Sequence, residues 1–301
     1  MLDPRLFTAL PAAERRALGE RYLEFVRERD GEPDLEHRTL ARREKWFEEF
    51  RKKPAIPWTG ERIDPVAFKE WHLAQRPLRD ASPLVNWLVA LARANEGEEW
   101  GVDYLLDRGG FQGLGKHGTL QPRDFADLEE TYHTRIFKEI VALFGLDFEL
   151  RPPPAPIQQS VKLMAYLPES LSFTLLAAGE LMGTVAFLEL ALRAERLLKD
   201  HPDLLARVRS LLDEILVDEV GHVTFLLGSM RGWQLAVIRQ LALLYAASSR
   251  RSYTNDEGDA ALMGEGIRNY SLAIMPERVL RRAFVPSQYW PRVYGPVPVP
   301  A

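Results

Sequence analysis

Two copies of Glu-x-x-His, each set in an apolar helical stretch, constrain this chain more than any other feature. Glu130-Thr131-Tyr132-His133 is followed at helical spacing by Phe137, Val141 and Phe144. Glu219-Val220-Gly221-His222 lies among Leu212, Ile215, Leu216, Val223 and Leu226. Residues three apart on an α-helix share a face and are about 4.5 Å apart along the axis. Each pair can therefore offer a carboxylate oxygen and an imidazole nitrogen to one ion. Charged side chains on a core-facing stripe are costly unless paired or coordinated. The plainer reading is that each glutamate pairs with its own histidine inside the core. A single copy is within reach of chance; two copies on apolar faces point to metal.

Helical periodicity runs through the rest of the chain, with no alternating strand pattern and no internal repeat, so the expected fold class is all-α. Helices are expected over 11–29, 36–53 and 65–75, then 83–106, 122–144, 169–199 and 203–228, with 233–249 and 258–272 following. A turn or short helix at 160–167 precedes the third of the central four, and the Pro- and aromatic-rich tail 285–301 reads as extended chain. Ser82-Pro83 starts the first central helix as cap and first-turn proline. Gly109-Gly110 and Gly113-Leu114-Gly115 fall in the connection after it, and a linker of prolines covers Arg151 to Pro156. The organisation is one domain: an N-terminal helical extension (1–78), a metal-binding four-helix bundle (79–230), and C-terminal helices with a tail (231–301). The N-terminal helices are polar on much of their surface and are expected outside the main core. The most apolar stretch, Leu171 to Leu192, has the length of a membrane span. Glu180 and Glu189 inside it favour a buried bundle helix.

A metal site inside a bundle of this kind takes one further carboxylate from each of the other two helices. In the first helix Glu98 shares its face with Trp87, Leu91, Ala94, Val102 and Leu105, whereas Glu96 and Glu99 fall beside Arg93, Asn95 and Asp103. Glu98 also lies eight residues before Leu106, as Glu130 lies eight after Pro122, which levels the two carboxylates on antiparallel neighbours. In the third helix Glu180 and Glu189 are nine positions apart and so point to opposite sides. Glu180 lies with Ala177, Gly183, Thr184 and Phe187, where small residues leave room; Glu189 shares its side with Arg193 and Arg196. Glu98 and Glu180 are the preferred candidates.

The chain has no cysteine. Disulfides, zinc–thiolate sites and iron–sulfur clusters are thereby excluded. Carboxylate and imidazole donors without thiolate favour iron or manganese over structural zinc. A formal net charge of −4, with both signs interspersed, argues against general nucleic-acid binding. The first residues carry no basic start and apolar run, so the expected location is the cytoplasm, without a membrane partner.

The order Glu98, Glu130-x-x-His133, Glu180, Glu219-x-x-His222 resembles the ferritin-like diiron-carboxylate superfamily, which includes rubrerythrins, the ribonucleotide reductase small subunit and bacterial multicomponent monooxygenases. The resemblance covers roughly residues 83–228. It implies that Glu130 and Glu219 bridge or chelate two ions, that His133 and His222 each cap one, and that Glu98 and Glu180 are terminal ligands. Asp218, directly before Glu219, matches an aspartate that bonds to a ligand histidine in this superfamily. Thr184, four residues after Glu180, matches a threonine linked to oxygen and proton handling in the monooxygenases.

The implied cofactor is a pair of iron ions, with manganese–iron or two manganese ions served by the same ligands. The implied activity is that of an oxygenase or oxidase, with dioxygen as co-substrate, oxidising a small organic molecule by hydroxylation, N-oxygenation, desaturation or oxidative cleavage. Electrons would come from a reductase or ferredoxin. Manganese-catalase-like peroxide disproportionation and non-catalytic metal binding use the same pattern. About half of the chain lies outside the bundle, which fits a shaped substrate pocket or partner surface better than storage. The apolar fifth helix (Trp233, Leu235, Val237, Ile238, Leu241, Leu243, Leu244) can form a homodimer face or pack on its own bundle. Tyr104 and Tyr132 lie near the motifs but read as core aromatics. His72 and His117 fall outside the ligand-bearing helices.

Overall fold

Prolines and local caps set where the long helices begin. The computed structural model describes residues 1–34, 36–73, 81–107, 121–149, 155–248 and 264–296. Helix α4 (Pro83–Asp107) starts at a first-turn proline, with the Ser82 hydroxyl accepting the Val85 N–H at 3.3 Å. Helix α5 (Pro122–Ala142) starts the same way and adds a capping box between Gln121 and Asp124. Helix α7 (Glu169–Leu197) follows Pro168, and α8 (Pro202–Ser229) again has proline at its first position.

These four helices pack in a ring, α4 on α5, α5 on α8, α8 on α7 and α7 on α4. Trp87, Leu91, Ile136, Phe137, Leu181, Leu212, Ile215 and Leu216 are buried between them. Trp87 also donates its indole N–H to the Leu190 carbonyl at 3.0 Å. Every residue of α8 from Leu211 to Thr224 is buried. That follows from its position: α5 and α7 cover one side, while helix α1 (Ala12–Asp30) and a helical turn at Glu277–Leu280 cover the other.

The all-helical reading holds, with strand confined, among the described residues, to the two-residue pair Pro33–Asp34 and Thr39–Leu40. That pair corrects the expected start of the second helix: α2 covers Ala41–Lys52, not residues from 36 onward. The preceding segment is held by other bonds, because Leu40 is buried and its N–H is taken by the Tyr132 hydroxyl at 3.0 Å.

A larger correction concerns the N-terminal helices, expected outside the core. Leu18, Tyr22 and Val26 of α1 are buried with Leu40 and with Phe125, Leu128 and Tyr132 of α5. Phe47 and Phe50 of α2 join the main core. Their apolar residues are few, so the sequence looks polar, but they fall on one stripe and that stripe is covered.

Helix α3 (Pro65–Leu73) packs on α4. Helix α6 (Ala155–Tyr166) is longer than the short helix expected at 160–167 and takes in the end of the proline linker. Helix α9 (Gly232–Ser248) packs on α7 through Leu235, Ile238, Ala242 and Ala246, and leaves Trp233, Val237 and Leu244 exposed. Of the helix expected at 258–272, a helical turn at 264–268 is described, with a 3₁₀ turn at Leu272–Ile274. The tail, expected as extended chain, instead makes 3₁₀ turns at Ser287–Tyr289 and Arg292–Tyr294, with Tyr289 and Trp290 buried. Helix α7 is long and apolar enough to cross a membrane, and half of its apolar stretch is buried inside the molecule.

Candidate metal centre

The ring of helices brings all six residues singled out in the sequence to one place. Glu98, Glu130, His133 and Glu219 can each direct one donor atom to a point, these atoms lying within 4.8 Å of one another. Glu130, Glu180, Glu219 and His222 form a second such group. Glu130 and Glu219 belong to both. Glu98 is therefore the residue of α4 that reaches the centre. Glu96 turns to His72 at 3.1 Å, and Glu99 to Lys138 at 3.8 Å. On α7 it is Glu180 that reaches it, and Glu189 belongs to neither group.

Each histidine is gripped from behind. His133 Nε2 lies 3.1 Å from Asp218 Oδ2, the contact expected of Asp218. His222 Nε2 lies 2.8 Å from Glu129 Oε2. The pairing is reciprocal: the acid before Glu219 on α8 holds the histidine of α5, and the acid before Glu130 on α5 holds the histidine of α8. Acceptors at both Nε2 atoms select the tautomer with its proton there and leave the Nδ1 lone pair facing the centre. His133 Nδ1 is 2.9 Å from Glu130 Oε2 and 3.5 Å from Glu219 Oε1. His222 Nδ1 is 3.0 Å from Glu130 Oε1 and 3.5 Å from Glu180 Oε2.

These atoms supply the test of whether a metal fits. Both Nδ1 atoms and both oxygens of Glu130 are fully buried and face one another in pairs at 2.9 and 3.0 Å, without the geometry of a hydrogen bond. Buried polar atoms are seldom left so, and an imidazole nitrogen facing a carboxylate oxygen in each of the two groups suits a cation between them. Four carboxylates in one buried cluster are also matched in charge by two divalent ions. Gly183 of α7 faces this cluster, a Cβ there lying 3.4 Å from Glu219 Oε2.

Ionisation follows from the same crowding. Burial, then the neighbouring Glu130, pushes the Glu98 carboxyl up to about 8. Burial, then Glu180 and Glu130, pushes Glu219 well above the carboxylate range. For Glu130 burial acts in the same direction but loses to His133 and His222, which hold it well below that range. Both imidazoles are raised well above their ordinary value: burial opposes their charge, but for His133 Glu130 and Asp218 outweigh it, and for His222 Tyr22 and the hydrogen bond it donates to Glu129 do so. Protons and a divalent ion thus compete for the same atoms.

Thr184 is buried on α7 and donates to the Glu180 carbonyl at 2.7 Å, with Glu219 Oε2 at 3.4 Å. Tyr132 points away: its hydroxyl receives the Leu40 N–H and donates to Glu44 at 3.1 Å. His72 is buried against Glu96 and Phe148. The side chain of Tyr104, and His117 altogether, lie outside the described residues.

Sequence reasoning missed Glu129, Tyr270 and the N-terminal contribution. Glu129 had a signal, since it precedes Glu130 as Asp218 precedes Glu219. Tyr270 is buried with its hydroxyl near Thr184 and Glu219, a contact across 86 and 51 residues respectively that no local pattern announces. No protein-family model, curated protein or solved structure matches the chain.

Proposed function

We propose that this chain is a ferritin-like dinuclear iron oxygenase or oxidase that uses dioxygen to oxidise a small organic molecule. The observation that carries this reading is the pair of four-residue groups sharing Glu130 and Glu219. One position would be held by Glu98 and His133, the other by Glu180 and His222, with the shared glutamates reaching both. Two iron ions there would supply a pair of redox-active, Lewis-acidic centres for the activation of dioxygen.

The protein's own residues arrange the surroundings of that chemistry. Asp218 and Glu129 fix the two imidazoles. The Thr184 hydroxyl, beside Glu219, is placed to hold or pass a proton at that carboxylate. The centre is sealed unequally. The side chains of His133, His222 and Glu219 are at most 2% exposed, whereas Glu98 is 25% exposed, Glu180 14% and Glu130 13%. A small substrate would therefore approach from the α4–α7 side, away from α8. Electrons would be delivered by a separate reductase or ferredoxin.

Metal analysis of the purified protein, then anaerobic iron(II) loading and exposure to oxygen under optical absorption, tests the proposal. Two irons per chain with a charge-transfer band on oxygenation is the expected result. Two manganese ions with rapid peroxide breakdown would replace it with a catalase-like function. No metal uptake under any loading condition would refute it.

A further inference from the structure

Behind the two histidines lies a layer of buried charge. Asp218 receives Arg43 through two nitrogens, at 2.9 and 2.5 Å, and Arg29 at 2.8 Å. Glu129 receives Arg29 on one oxygen and the Tyr22 hydroxyl, at 3.1 Å, on the other. Asp30 ties the guanidinium groups together, bonding Arg29 at 2.5 Å and lying 3.4 Å from Arg43. Arg43 and Asp30 are almost completely buried and Arg29 is only 17% exposed. All of these groups except the two acids on α5 and α8 come from α1 and α2.

Two arginines buried in a helical protein are expensive unless each has partners. Here their partners are the two acids that orient the imidazoles. Arg43 meets Asp218 as a fork on a carboxylate, a geometry that fixes the direction of the acid as well as its place. Turning Asp218 would turn the His133 ring, and moving Glu129 would free the His222 ring. From these contacts we propose that Arg43 and Arg29 are positioning residues of the metal centre, and that α1 and α2 form its back wall. Metal loading and the docking of residues 12–52 are then thermodynamically linked, because each is favoured by the ligand geometry that the other requires.

This inference rests on the metal-binding reading above, and its test separates the two. Manganese(II) is titrated into the full-length wild type, Arg43→Gln and Arg43→Lys, and affinity is read from the free-ion resonance signal. Hydrogen exchange of residues 12–52 is followed with and without the metal. Arg43→Gln should bind about 10- to 100-fold more weakly, the range for losing a group that orients a metal ligand. Arg43→Lys, a charge without the fork, should recover part of that loss. A purely structural role would lower the melting temperature of the variant and leave its affinity and the bound-metal spectrum unchanged, which would overturn the inference. If Arg43→Gln does not fold, the wild type decides: slower exchange in 12–52 on metal binding supports the linkage, and unchanged exchange refutes it. Wild type that takes up no manganese or iron would remove the metal reading itself; equal uptake by folded wild type and Arg43→Gln would remove only the positioning role.

Discussion

Replacing Glu130 by glutamine is a sharp perturbation of the candidate centre, because Glu130, like Glu219, belongs to both groups of potential ligands while Glu98 and Glu180 belong to one each. Glutamine keeps the shape and removes the charge. The two carboxylate oxygens of Glu130 face His133 Nδ1 at 2.9 Å and His222 Nδ1 at 3.0 Å, so each position loses an anionic donor in the variant. Losing a group that merely orients a ligand weakens binding by about 10- to 100-fold, and losing a ligand directly should cost each position at least about 100-fold. At micromolar protein, Glu130→Gln should retain fewer than two ions per chain after dialysis. Glu98→Gln and Glu180→Gln should each leave the opposite position more nearly intact. Circular dichroism should report near-native helicity in all three, since the helices are held by the apolar core. Metal content by plasma emission and affinity by competition with a chelating dye are the assays. Two tightly held ions in folded Glu130→Gln would refute the assignment of a shared carboxylate.

Three further outcomes are expected. The Glu98 carboxyl is raised from an ordinary 4.5 to about 8, so its contribution to the stability of the metal-free protein is fully present below pH 4.5 and lost as pH rises through 8. Melting curves of metal-free wild type and Glu98→Gln should therefore converge at low pH and separate toward pH 9, with the variant the more stable; a constant gap would count against the shift. Trp87→Ala, which empties a fully buried indole site and removes its bond to the Leu190 carbonyl, should cost about 3–5 kcal/mol by urea denaturation. Tyr132→Phe removes the hydroxyl that receives the Leu40 N–H and should cost about 1 kcal/mol by the same assay with metal affinity unchanged. A large change in affinity would place Tyr132 in the chemistry, against its position facing α2.

The candidate site was legible in the sequence to an unusual degree because a helix converts spacing directly into direction. Glu-x-x-His defines a face by itself, and the apolar neighbours of Glu98 and Glu180 mark them as sharing the inward side. Phase and level along the helix favoured Glu98 over Glu96 and Glu99, and the structure turns those two to His72 and Lys138. Glu129 was legible in principle, standing where Asp218 stands in the other motif. The pairing of each acid with the histidine of the opposite helix was not, since phase along one helix says nothing of which neighbour it meets.

What the sequence by itself determined was the helical class, most helix boundaries set by proline and caps, and the set of six residues able to meet at a metal. Those are local properties, fixed by periodicity and backbone chemistry within a few turns. Only the tertiary structure decided that α1 and α2 close the back of the centre. Arg29 and Arg43 sit in strongly charged stretches that read as solvated faces, and nothing near them in the chain distinguishes them from the arginines beside them. They are buried because Asp218 lies 175 residues from Arg43 along the chain yet 2.5 Å away in space. A charge can leave water only where an opposite charge meets it, and where that meeting occurs is a property of the fold.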